Sequence, residues 1–217
     1  MILWFRRCLL LPAATLALGC HRAATSDLAP SLTARAFFDA LGHSQWDSAA
    51  ALADSEWLVS YHARQVVFIQ SIALGRKTLG PEGVTMASDT FTARFLRAFG
   101  SRPVPGFPGV GTFADLLRIS PRKFLASCFE GMTAGPGRVA PGERWTVHVV
   151  GQVLENSDRA YVVYRHTGRT ANDQPWTLPL IRTGRRWGYT LPNFFAIPDC
   201  ALVANVAGYA NRSNGAA

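Results

Sequence analysis

A change of hydrophobic period part-way along the chain constrains the fold more than any single motif. From Ser31 to about Leu74, apolar residues recur every three or four positions, as on one side of a helix. From Arg144 onward they alternate, as in strands with one buried face. A chain that runs helical first and then forms strands joined by short turns is expected to be an α+β domain, its N-terminal helices packed on a C-terminal antiparallel sheet.

The helical half predicts three helices. Ser31 is placed to cap the first, which carries Leu32, Ala36, Phe37, Ala40 and Leu41 on one face and ends at Gly42. Ser44 begins the second, with Asp47 at its third position and Trp46, Ala49, Ala50 and Ala53 on its apolar side. The third runs from about Ser55 to Leu74 with a stripe of Leu58, His62, Val66, Ile69 and Ala73. Beyond it, Gly75 to Thr85 reads as a loop, Asp89 to Phe99 as a helix, and Gly100 to Gly111 as irregular. Phe113–Leu117 and Pro121–Phe129 read as short helices before a Gly/Pro loop from Ala134 to Gly142. Two hairpins follow. The first joins Trp145, Val147 and Val149 through Asn156-Ser157-Asp158 to Tyr161–Tyr164. The second joins Trp176, Leu178 and Leu180 through Thr183-Gly184-Arg185 to Trp187, Tyr189 and Leu191.

The first residues read as an export signal: Arg6 and Arg7, an apolar run from Cys8 to Leu18, and small residues before Cys20. That run contains Pro12 and is shorter than the roughly 20 residues a spanning helix needs. Its end, Leu16-Ala17-Leu18-Gly19-Cys20, resembles the lipobox of bacterial lipoproteins, with Ala17 where leucine is usual and Leu18 where a small residue is usual. The resemblance implies removal of residues 1–19, acylation of Cys20, and stable attachment to a membrane through more than one lipid chain. His21 stands where aspartate marks inner-membrane retention in Gram-negative lipoproteins, so the implied address is the outer membrane, facing the periplasm. Ala17 and Gly19 also satisfy the ordinary small-x-small cleavage rule, which leaves a soluble periplasmic or secreted protein as the alternative. Residues 20–30 read as a tether, 31–208 as one domain, and 209–217 as a frayed tail.

A hydrophobic content of 48% with 17% charged residues suits one folded domain. Loss of Arg6 and Arg7 lowers the net charge from +8 to +6, and the remaining basic residues are dispersed, so no nucleic-acid partner is expected. With Cys8 removed and Cys20 acylated, Cys128 and Cys200 remain. A bridge between them would close a loop of about 70 residues and stabilise by roughly 4 kcal/mol; two buried thiols are the other reading. No CxxC, HExxH, Gly-x-Ser-x-Gly or phosphate-loop pattern occurs, so neither a metal nor a cofactor is expected. The run Pro105–Gly111 reads as a surface loop in which Phe107 is either an exposed contact or tucked into the domain.

Two segments resemble exported members of the nuclear transport factor two-like, or ketosteroid-isomerase-like, family: Phe37-Phe38-Asp39-Ala40-Leu41 to Trp46-Asp47-Ala49, and Thr183-Gly184-Arg185-Arg186-Trp187-Gly188-Tyr189. The resemblance implies a cone-like fold in which a curved sheet wraps around the longest helix, with residues 75–142 as a long insertion. In enzymes of that family, a pocket between sheet and helices holds aspartate, histidine or tyrosine for proton transfer. Here Tyr61, His62 and Asp47 are the candidates, with His62 or Asp47 as base and Tyr61 as donor. Without a catalytic constellation in the sequence, the expected function is a membrane-anchored, non-enzymatic domain. It would bind a protein or a small apolar ligand through the concave sheet or the Gly/Pro loop; an isomerase or dehydratase is the alternative.

Overall fold

The computed structural model describes residues 29–74, 89–104, 107–133, 146–167 and 174–191. The leader, Cys20, residues 21–28 of the tether, the loops expected at 75–85 and 134–142, Trp145, Cys200 and the tail lie outside these residues. The Cys128–Cys200 pairing therefore lies outside them as well; Cys128 itself is buried.

Helix α1 (Pro30–Gly42) begins one residue before the expected Ser31 cap. Pro30 supplies a pre-set φ at a position where its missing N–H leaves no bond unmade. Ser31 instead donates its N–H to Gln152 Oε1 at 3.0 Å. The helix ends at Gly42 as expected, but the left-handed residue that closes it is Ser44. Ser44 has φ 59°, its N–H reaches the Leu41 carbonyl at 3.2 Å, and the Gln45 N–H reaches the Ala40 carbonyl at 2.8 Å. This is a Schellman closure with serine in the left-handed position glycine usually takes. Committed to that turn, Ser44 does not cap α2 (Trp46–Ala51), which follows Gln45 with no side-chain cap.

Helix α3 (Ser55–Ala73) is capped by Asp54, whose carboxylate accepts the Trp57 N–H at 2.8 Å. The expected stripe is right at Leu58, Ile69 and Ala73, but its middle is rotated: Tyr61 and Gln65 are buried, whereas His62 and Val66 are partly exposed. Helix α4 (Asp89–Phe99) matches expectation, and α5 (Phe113–Leu116) starts on a reciprocal Thr112–Asp115 capping box. Helix α6 (Pro121–Thr133) runs past the expected Phe129.

Four strands, β1 (Val147–Leu154), β2 (Arg159–His166), β3 (Trp176–Thr183) and β4 (Arg186–Tyr189), form an antiparallel sheet in the order β1-β2-β3-β4. Asn156 Oδ1 accepts the Asp158 N–H at 2.8 Å and shapes the first turn. Gly184, at φ 62°, opens the two-residue β3–β4 turn, where a positive φ at the first position suits the strand twist. A bulge between Val149 and Gly151 shifts the register of β1.

The fold is therefore α+β, and α1 is the helix that joins its halves. It contacts β1, β2 and β4 on one side and α2 on another, while α2 and α3 pack on α6. Phe38 meets Tyr164 at 4.5 Å between ring centroids, and Phe37 meets Tyr189 at 4.1 Å and Phe129 at 5.9 Å. The inner sheet face carries buried Ala160, Val162, Tyr164, Leu178, Leu180, Trp187 and Tyr189, leaving that side closed by α1. Each large apolar side chain so buried contributes about 1.5–3 kcal/mol.

The β4 edge is sealed from within the chain. Ala53 bridges Tyr189 in parallel, the Asp54 N–H donates to the Tyr189 carbonyl at 2.9 Å, and the Tyr189 N–H donates to the Leu52 carbonyl at 3.1 Å. Thr183 Oγ1 donates to Asp54 Oδ2 at 2.9 Å, Tyr189 Oη donates to the Ala49 carbonyl at 3.0 Å, and Arg186 donates to the Ala51 carbonyl. Gly188 is required there, since a Cβ on it would lie 2.6 Å from Asp54 Cα and N.

Candidate functional site

Two regions carry the chemistry available to this fold. The first lies around Phe124 on α6, where helix packing brings Tyr61 and His62 to the same ring. Tyr61 stacks on Trp57 at 4.9 Å and meets Phe124 edge-on at 6.3 Å; the His62 ring lies 4.9 Å from Phe124. Phe107 closes the group at 5.5 Å from Phe124 and is buried, so the Gly/Pro loop sends its aromatic inward and does not offer it as a contact.

Burial pushes the His62 pKa below its ordinary value. Its Nε2 is buried with no hydrogen-bond partner among the described residues. A neutral imidazole in this setting can accept a proton only at the cost of a buried charge.

Asp47 sits elsewhere. Its carboxylate is exposed, 3.9 Å from Lys123 Nζ, and its carbonyl accepts from Arg122 Nε at 3.2 Å. Lys123 and Phe124 are consecutive on α6 and so diverge by roughly 100° around its axis. Tyr61 and His62 gather on the Phe124 side, while Asp47 is held on the Lys123 side. Among the described residues, no group of His, Cys, Asp and Glu is placed to hold a metal ion.

The second region is the β1–β2 hairpin with the start of α1. Of the seven large hydrophobic side chains that stand exposed among the described residues, five are here: Leu32, Val150, Val153, Leu154 and Tyr161, from 37% to 58% accessible. Register explains the cluster. Val153 pairs with Tyr161 on the outer face, Leu154 pairs with Ala160 on the inner face beyond the helix, and Val150 is the extra residue of the bulge. The end of β1 therefore carries apolar side chains on both faces, and sequence reasoning that looked for one buried face missed it. The run Val149-Val150-Gly151-Gln152-Val153-Leu154 held the signal, since it breaks the alternation expected of a half-buried strand.

Comparison with protein-family models, with curated proteins and with solved structures yields no match in any of the three. No helix of the described residues is long and apolar enough to cross a membrane.

Proposed function

We propose that this protein is a cell-envelope lipoprotein, held at a membrane through acylated Cys20, whose folded domain is a non-enzymatic binding module for an apolar partner. The concentration of exposed apolar side chains along the β1–β2 hairpin carries this reading, because apolar surface gathered in one region marks interaction surfaces. The concave sheet is filled by α1 and Phe107 is buried, so the contact surface is assigned to the hairpin and not to the regions expected from sequence. A cone-like form belongs to the same reading. A bulge such as that in β1 is where a sheet can bend, and α1 packs on the inner face; in this reading the helix a curved sheet would wrap is α1, while the longest helix, α3, packs on α6.

Two measurements test the proposal. The intact mass of the mature N-terminus, compared with a Cys20→Ala variant, should show an acyl increment that the substitution abolishes; an unacylated chain beginning at Cys20 would make the protein a soluble exported one. The apolar dye anilinonaphthalene sulfonate should brighten on the folded protein and lose most of that emission in Val153→Ser/Tyr161→Ser. A native protein that leaves the dye dark has no such surface.

The isomerase or dehydratase reading rests on His62, neutral and with an unpartnered Nε2 among the described residues. It now requires a base and donor drawn from His62 and Tyr61 alone, since Asp47 is engaged by Lys123.

A further inference from the structure

The exposed apolar cluster lies beside the point where the tether reaches the fold. Ser31, at the start of α1, hydrogen-bonds to Gln152 in the middle of β1, so the chain leading back to Cys20 leaves from the β1 edge. From Cys20 to Ala29 an extended chain spans at most about 30 Å. An anchor at Cys20 therefore holds that edge within about 30 Å of the lipid headgroups.

The strands of this surface carry charge of one sign. No strand residue is acidic, whereas Arg159 and Arg165 stand exposed on the outer face of β2, with Arg35 exposed on α1. The nearby acids are Asp39, one turn beyond Arg35 on the exposed face of α1, Glu155, which accepts from Tyr161 Oη at 3.1 Å, and Asp158; the last two belong to the β1–β2 turn at the end of the sheet. Apolar side chains flanked by arginines match the boundary between acyl chains and anionic headgroups.

We propose that the edge of β1, unpaired among the described residues, docks with Leu32 of α1 on an anionic phospholipid bilayer, laying the domain against the membrane that holds it. The inference rests on the anchoring of Cys20 for its geometry. Its contacts are those of the folded domain, so docking and anchoring can be read separately.

The test places a dansyl amino acid at Val153 or, as a control, at Val59 on α3. Each full-length protein is reconstituted with vesicles of phosphatidylcholine alone or of phosphatidylcholine and phosphatidylglycerol in equal parts. With the anionic lipid, the probe at 153 should shift to the blue and be quenched by nitroxide-labelled lipid, while the probe at 59 stays in water. Replacing Arg159 or Arg165 with serine should weaken the docked state about fivefold each. Equal quenching at both sites, or none at 153, overturns the proposal. So does a blue shift at 153 that appears without vesicles as protein concentration rises, which would mean that a second copy covers the edge. Intact mass of the same samples separates the two readings: an unacylated chain docked through position 153 removes the anchor alone, and an acylated chain with position 153 in water removes the docking alone.

Discussion

The two edges of the sheet are finished in opposite ways. At β4, the chain between α2 and α3 comes alongside and pairs with the strand, and its capping aspartate also takes the Thr183 hydroxyl. At β1, no strand pairs with the outer side among the described residues, and Val150, Val153 and Leu154 stand in solvent. Exposed strand edges invite pairing or adhesion unless blunted by charge or distortion. β1 has a bulge and no charged residue. One edge is completed by the chain itself, and the other leaves apolar side chains in solvent.

Substitutions at the two edges should differ accordingly. Gly188→Ala should have the largest effect, about 3 kcal/mol of stability measured by urea unfolding, since its Cβ would collide with backbone that cannot swing aside. A variant as stable as the parent would mean that the β4 joint is looser than described. Asp54→Ala should cost about 2 kcal/mol, half from the lost cap and half from the Thr183 bond. Combining it with Thr183→Val in a double-mutant cycle should return a coupling of about 1 kcal/mol.

A smaller effect separates both edges from the helical layer. Because burial lowers the His62 pKa, the folded protein binds that proton less readily than the unfolded chain does. Stability should be full above the ordinary histidine value of about 6.5 and fall as pH drops through it, levelling once the folded-state value is passed. Urea curves at about pH 7.5 and about pH 5 should show the loss, and His62→Gln should remove its share. The smallest change belongs to the open edge, where Val153→Lys should alter stability by less than about 0.5 kcal/mol. A larger loss would show that β1 is held by contacts of its own.

The sequence displayed this architecture unevenly. Helices α1, α3, α4 and α6 and both hairpins were legible because a repeating period records burial over many residues. Helix ends were less so: serine suits both a cap and a left-handed turn, and Ser44 serves the turn. In α3, spacings of three and four fit either flank of the buried side, so His62 and Val66 were read as core where Tyr61 and Gln65 lie. The approach of Gly188 to Asp54 joins residues more than half the chain apart, and no local pattern encodes it. At the candidate site, Tyr61 and His62 were found from sequence and do share a ring, but the separation of Asp47 depended on which side of α6 it met.

The β4 joint also bears on time. Its two sides are remote along the chain, so closing it carries the loop-closure entropy of long-range contacts and comes late in folding. Contacts formed after the transition state leave the folding rate nearly untouched and slow the reverse passage. Gly188 and Asp54 should thus act on the unfolding arm of a chevron plot, making the joint a determinant of how long the native fold lasts once formed.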